Sequence, residues 1–127
     1  MNRKIKFRVW DKKEKKMLTW NSDKVEIVEN IISYDSNDKR LKNYKIMQFT
    51  GVKDLYGKEI YEGDIVQLEF AIAPCGFGRY EIFFDRGAFQ LKTIEKSWYQ
   101  TDNDTHLSSY NICCVIGNIF ENPELAK

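Results

Sequence analysis

Three glycines spaced six residues apart, Gly51, Gly57 and Gly63, lie in the middle of the chain. Each has a polar or turn-forming neighbour, and glycine adopts a positive φ without steric cost. The spacing predicts successive tight turns, the last of them formed by Gly63 together with Asp64. A segment that turns every six residues cannot form a long helix, so we expect short strands.

Outside these turns, apolar and polar residues alternate as they do in half-buried strands. From Ile5 to Trp10, for example, the side chains of Ile5, Phe7 and Val9 share one face. After Asp64, the residues Val66, Leu68 and Phe70 are predicted to face a core. The alternating segments are 5–10, 17–20, 45–50, 66–70, 79–84, 89–93 and 111–119, and segment 23–33 is a further candidate strand. The sequence thus predicts a mainly β protein with about eight strands.

Turn and loop residues separate these strands. The tripeptide Asp85-Arg86-Gly87 predicts a hairpin turn, and Asn122-Pro123-Glu124 is typical of the start of a helical turn. Pro74, Gly76 and Gly78 predict a break before the strand at residue 79. Segment 23–33 fits a helical stripe or a strand, and we favour the strand. The charged segment 11–16 is expected to be solvated, and the polar segment 34–43 predicts a surface loop.

Length and charge narrow the function classes. A chain of 127 residues with 43% hydrophobic residues suits one domain, 1–127, with possible subregions 1–45 and 46–127 on either side of the polar loop. The net charge of +1 argues, on bulk charge, against a strongly cationic nucleic-acid binder and against a polyacidic chaperone. No apolar run approaches the roughly 20 residues of a membrane span, and the first eight residues are too charged for a secretory signal. We therefore expect a cytoplasmic protein without a membrane partner.

Three segments resemble the YopX family of phage and prophage proteins, in the order expected for that family. They are the central pattern Thr-Gly-(x)2-Asp-(x)2-Gly-Lys-Glu-Ile-Tyr-Glu-Gly-Asp-Ile-Val at 50–66, Lys-Phe-Arg-Val-Trp-Asp at 6–11, and Val-Ile-Gly-Asn-Ile-Phe-Glu-Asn-Pro-Glu-Leu at 115–125. The resemblance implies a small, mainly β protein with an SH3-like barrel, additional hairpins and short helical turns. It also implies an origin in phages or prophages of low-GC Gram-positive bacteria, and it supplies no catalytic residues.

Candidate groups for catalysis or metal binding are few. The single histidine, His106, lies in a polar segment near Ser108 and Ser109, and nearness in sequence alone does not make a catalytic pair. Adjacent Cys113 and Cys114 would point to opposite faces of a strand, and they lack the usual spacing of zinc ligands. The acids Asp54, Glu59, Glu62 and Asp64 could bind a hard cation, but their spacing is not that of an EF-hand loop and turn-forming hydrogen bonds explain them better. We expect no catalytic residue, cofactor or metal, although a hydrolase or metalloenzyme stays a weaker alternative.

Two interaction hypotheses remain. Eighteen aromatic residues exceed what so small a core easily buries, which predicts a protein-binding surface, to a host or phage protein or to further copies of the chain. The residues favoured for that surface are Tyr56, Tyr61, Phe77, Trp98 and Tyr99. The alternative is DNA or RNA binding by the first 20 residues, which hold eight Lys and Arg against two Asp and Glu. Its candidate residues are Lys4, Lys6, Arg8, Lys12, Lys13, Lys15 and Lys16, whose simpler role is to keep a hairpin soluble.

Overall fold

The computed structural model describes residues 5–19, 37, 39–70, 73–95 and 111–126, and confirms the mainly β prediction. Its helices are short 3-10 turns, and no helix in the described part is long and apolar enough to span a membrane. In chain order the elements are β1 (Phe7–Asp11), β2 (Lys16–Leu18), η1 (Lys39–Asn43), β3 (Tyr44–Lys53), β4 (Glu59–Tyr61), β5 (Asp64–Phe70), β6 (Ala73–Asp85), β7 (Ala88–Glu95), β8 (Asn111–Asn118) and η2 (Pro123–Ala126).

The chain divides into two compact units, Met1–Phe49 and Thr50–Lys127, and the boundary falls within β3. It lies close to the subregion boundary expected between residues 45 and 46. The single domain over 1–127 and the SH3-like form of the barrel stay predictions. Segment 23–33 lies outside the described residues.

In the first unit, β1 pairs antiparallel with β2 on one side and with the first half of β3 on the other. Val9 is fully buried between these strands, with Leu18, Leu41, Tyr44 and Ile46 packed against it. The predicted faces of β1 are wrong at its start, because Ile5 is exposed and Lys6 is only 8% exposed. The Lys6 Nζ lies 5.3 Å from the centroid of the Phe49 ring, and a cation–π contact of this kind allows the aliphatic stem to be buried.

The turn between β1 and β2 is formed by Asp11. Its Oδ1 accepts hydrogen bonds from the backbone N–H groups of Lys13 (3.0 Å) and Glu14 (3.1 Å), and Lys15 adopts a φ of +54°. Asp11 is therefore buried, which corrects its predicted solvation, whereas residues 12–16 are exposed as predicted.

In the second unit, four antiparallel strands form a sheet in the order β7-β6-β5-β8, and β4 lies beside β3. Val66 and Leu68 are buried as predicted, but their neighbour Ile65 is buried too. The reason is a register shift between Ile65 and Val66 in the pairing with β8, which interrupts strict alternation. The buried cluster consists of Ile60, Val66, Leu68, Tyr80, Ile82, Leu91 and Ile112.

The predicted break at Pro74, Gly76 and Gly78 is wrong, because β6 runs through all three residues. Pro74 lies near the start of the strand, where a missing backbone N–H costs least. Gly78 adopts a φ of +73°, and the pairing of β6 with β7 shifts register at Arg79. Pro74 is thus accommodated by the end of the strand, and Gly78 by the bulge beside it.

Two predicted turns are confirmed. Arg86 and Gly87 both have positive φ values, +52° and +77°, as the two-residue hairpin between β6 and β7 requires. The helical turn at Pro123 is the 3-10 helix η2, whereas η1 and β4 were not predicted.

The three motif glycines all have positive φ values: +87° at Gly51, +83° at Gly57 and +82° at Gly63. Gly57 and Gly63 lie in turns as predicted, but Gly51 lies within β3. Gly63 is also fixed by its backbone, because its N–H donates to the Ile82 carbonyl (2.8 Å) and its carbonyl accepts from the Ile119 N–H (2.9 Å).

We expect Gly63→Val to destabilise the protein by about 2 kcal/mol or more, since a β-branched residue is strained at this φ. Thermal unfolding of the variant measures the loss. Lys92→Val, at an exposed position of β7, is the control and should unfold near the wild-type temperature. An unchanged melting temperature for Gly63→Val would contradict the turn described here.

Candidate functional site

The loop between β3 and β4 is organised by one carboxylate. We call this loop, together with the last two residues of β3, the 52–58 tip (Val52–Lys58). The Asp54 side chain is only 7% exposed, and its Oδ1 accepts hydrogen bonds from the backbone N–H groups of Tyr56 and Lys58, both at 2.9 Å. The backbone adds two more bonds, from the Asp54 N–H to the Lys58 carbonyl (2.9 Å) and from the Gly57 N–H to the Asp54 carbonyl (3.1 Å). The tip therefore has one well-defined conformation.

The same carboxylate joins the tip to β8. The Asp54 Oδ2 accepts a hydrogen bond from the Val115 N–H at 3.0 Å, across 61 residues of sequence. Both carboxylate oxygens are thus used by backbone donors. A bond between groups so far apart in sequence fixes the tip against a strand of the main sheet.

These contacts also set the ionisation of the site. Burial raises the pKa of Asp54, but the backbone hydrogen bonds from Lys58, Val115 and Tyr56, together with the Lys58 charge, bring it below its ordinary value. Burial and the nearby Asp54 charge raise the pKa of the Cys114 thiol. Asp54 is therefore ionised at neutral pH, and Cys114 is a protonated thiol with little nucleophilic character.

Because the carboxylate points inward, the apolar residues of the tip point outward. Leu55 is 56% exposed, Tyr56 is 80% exposed and Val52 is also exposed. Lys53 and Lys58 are exposed beside them. The 52–58 tip is thus a small, mainly apolar exposed segment with two exposed lysines.

The remaining acids of the central motif have structural contacts as well. The Asp64 Oδ2 accepts a hydrogen bond from the Tyr61 N–H at 2.8 Å, and Asp64 is buried. Asp54 and Asp64 therefore have the predicted turn-forming role. Within the part of the chain that the structure describes, no three His, Cys, Asp or Glu residues are grouped so that they could hold a metal ion.

The C-terminal motif forms turns by the same means. The Asn118 Oδ1 accepts from the N–H groups of Phe120 (3.0 Å) and Glu121 (2.8 Å), and the Asn122 Oδ1 accepts from the Asn118 N–H (3.3 Å). A Cβ at Gly117 would lie 2.6 Å from the Asn122 Oδ1, so a side chain there would displace Asn122 from its hydrogen bond to the Asn118 N–H. The motif residues thus specify turns and close packing.

The predicted protein interface is only partly brought together. Tyr56 is exposed in the tip, but Tyr61 is only 8% exposed and its hydroxyl donates to Glu59 Oε1 at 3.4 Å, which contradicts its predicted place on an exposed surface. The Phe77 side chain lies outside the described part of the structure, as do Trp98 and Tyr99. His106 also lies outside the described residues, and the side chains of Cys75 and Cys113 are not described. Sequence reasoning missed Leu55, whose exposure follows from the inward turn of its neighbour Asp54.

Some residues of the predicted basic surface, those nearest the start of β1, are not exposed. Lys12, Lys13, Lys15 and Lys16 are exposed at the β1–β2 turn, whereas Lys6 is buried and Arg8 is half-buried. The burial of Lys6 against Phe49 removes it from the surface that the sequence predicts. Lys4 lies outside the described residues.

Comparison with known proteins identifies the family. Residues 6–127 match the sequence profile of the YopX family, described as YopX protein, and the chain belongs to this family. Among solved structures, it is similar to the crystal structure of protein EF1440 from Enterococcus faecalis, with 28% sequence identity and a TM-score of 0.60. That similarity covers 99% of this chain and 100% of the other. A comparison with functionally curated proteins gives no match.

We expect Asp54→Asn to destabilise the protein by about 2–3 kcal/mol, because an amide leaves one of the three N–H donors facing an NH2 group. Denaturant unfolding at pH 7 measures the loss. The control is Asp85→Asn, at an exposed position, which should change stability by less than about 0.5 kcal/mol. Equal stability of Asp54→Asn and the wild type would contradict the assigned role of the carboxylate.

The same pair of proteins gives a pH test. Since the pKa of Asp54 is lowered by folding, its stabilising contribution is present above the unfolded-state value, about 4, and is lost as pH falls through the lower folded-state value. The stability difference between wild type and Asp54→Asn should therefore be constant above pH 5 and narrow below about pH 4. A difference independent of pH would contradict the lowered pKa.

Proposed function

We propose that this YopX-family chain is a non-catalytic accessory protein of phages or prophages that acts in the cytoplasm of the host through protein contacts. The proposed contact surface is the 52–58 tip. The observation that carries this proposal is the exposure of Leu55 and Tyr56 on a tip that five hydrogen bonds hold in one conformation.

The physical argument starts from the cost of exposing these side chains. Leu55 and Tyr56 contribute little to the fold while they are in water, and two large exposed side chains next to each other in the sequence favour a role in binding. Tyrosine is among the residues that most often dominate binding energy, because its large ring loses little conformational entropy on burial.

The rigidity of the tip adds to the argument. A loop that is already in its bound conformation loses less entropy on binding, so more of its contact energy is realised as affinity. Asp54 supplies that rigidity from within the tip, at a position that a partner does not need to touch.

The proposed partner is a phage or host protein, or a second copy of the chain. The cationic neighbours Lys53 and Lys58 favour a partner whose apolar site has acidic residues around it. Burial of Leu55 and Tyr56 would provide most of the affinity, so the complex should resist salt.

The test is affinity capture from a low-GC Gram-positive lysate with nuclease present, comparing wild type with Leu55→Ser/Tyr56→Ser. A protein bound by wild type should be retained in 0.5 M NaCl and lost with the double variant. Ile5→Ser, at an exposed apolar position in the other unit, is the matched control and should retain it.

Sedimentation velocity of the purified chain separates the two kinds of partner, because only self-association produces a larger species without lysate. A captured protein that the double variant still binds would contradict the assignment of the 52–58 tip. Material that is captured only when nuclease is left out of a parallel capture would contradict a protein partner.

A further inference from the structure

The first unit carries a second surface that is independent of the 52–58 tip. Its four lysines at the β1–β2 turn are joined by exposed lysines from a segment about 30 residues away in sequence. We call the combined set the basic surface, and its members are Lys12, Lys13, Lys15, Lys16, Lys42 and Lys45.

Strand pairing brings the two segments together. In the β1–β3 ladder, Trp10 lies opposite Lys45 and Asp11 lies opposite Tyr44. One residue further on, the Lys12 N–H donates to the carbonyl of Asn43 at 2.8 Å, which places the end of η1 beside the β1–β2 turn. Lys42 and Lys45, which flank Asn43 and Tyr44 in the chain, therefore lie close to the turn that carries the other lysines.

The first unit has a large positive net charge. Residues 1–49 contain 13 Lys and Arg against 7 Asp and Glu, a net charge of +6, while residues 50–127 contain 7 against 12, a net charge of −5. The near-zero charge of the whole chain conceals this division. Among the described residues of the first unit the acids are Asp11 and Glu14, and Asp11 is buried.

The turn that carries four of the lysines is itself well defined. Asp11 accepts two backbone hydrogen bonds from it, and Lys15 occupies its left-handed position. Lysine is a compact point charge that suits phosphate oxygens without demanding a fixed geometry. The surface thus offers several cations at once from a rigid base.

We propose that the basic surface binds the phosphate backbone of double-stranded nucleic acid without sequence specificity. An acidic protein or an anionic membrane is less well matched, because neither is usually bound tightly by lysines without an apolar anchor. In the described part of this unit the exposed large apolar residue is Ile5, ahead of β1. Trp10 is half-buried, so base stacking of the kind used for single strands is also less well supported.

The test is fluorescence anisotropy of a fluorescein-labelled 20-base-pair DNA duplex titrated with the full chain at several NaCl concentrations. Wild type should bind at low salt, and the logarithm of its affinity should fall with log[NaCl] with a slope of about −4 or steeper. Lys42→Glu/Lys45→Glu should weaken binding at least about tenfold and reduce the steepness of the slope by about 2.

The matched control is Arg86→Glu/Lys92→Glu, which makes the same change in net charge at exposed positions of the second unit that lie outside the 52–58 tip. At about 0.1 M NaCl, where the Debye length is about 10 Å, its affinity should stay within about threefold of wild type, because more distant exposed charges are largely screened. Lys42→Gln/Lys45→Gln, which removes charge without adding repulsion, should give an intermediate loss and keeps the test valid if the Glu variant fails to fold.

Three results would overturn the proposal: no binding of the duplex by wild type at low salt, equal losses in the two charge-reversal variants, or polyglutamate binding as tight as duplex binding. None of them bears on the proposed protein contact. Leu55→Ser/Tyr56→Ser should bind the duplex like wild type, so the two surfaces can fail separately.

Discussion

The described part of the second unit depends most on the hydrogen bonds that the buried Asp54 carboxylate accepts. An ionised group removed from water is costly unless its oxygens are hydrogen-bonded. Here three backbone N–H groups satisfy it, two within the same turn and one in β8. Those bonds define the β3–β4 turn, fix it to the sheet and leave Leu55 and Tyr56 in water.

The segments that carry the family resemblance act in the same way. Thr50 donates its hydroxyl to the Ile60 carbonyl at 2.8 Å, Asp64 binds the Tyr61 N–H, and Asn118 binds two N–H groups at the end of β8. Short polar side chains in these motifs therefore replace the hydrogen bonds that the backbone loses where strands turn. The fixed residues of the motifs specify a fold. The proposed functions depend on Leu55 and Tyr56, at unspecified positions of the central motif, and on lysines outside the motifs.

The features that could be predicted from the sequence are those determined by neighbouring residues. Gly63, the Arg86-Gly87 turn and the helical turn at Pro123 follow from local backbone preferences. Contacts between residues that are far apart in the sequence could not be predicted and are seen only in the structure. The bulge beside Ile65, the passage of β6 through Pro74 and the burial of Lys6 on Phe49 depend on partners far away in sequence.

The 52–58 tip and the basic surface could likewise be predicted only where neighbouring residues determine the exposure of a side chain. Tyr56 could be predicted because an aromatic residue between turn-forming residues is often exposed, whereas Tyr61 has the same appearance and is buried. The exposed lysines of the β1–β2 turn could be predicted from their unbroken charged sequence. Their proximity to Lys42 and Lys45 could not, because it requires the register of β1 with β3.

Amide hydrogen exchange followed by NMR tests the central role of the Asp54 carboxylate most directly. The amides that report on it are those of Tyr56, Lys58 and Val115, of which the first two belong to exposed residues. If the carboxylate holds the tip, all three should exchange at least ~100-fold more slowly than in an unstructured peptide. Exchange of Tyr56 and Lys58 at the unstructured rate would contradict a tip organised by Asp54.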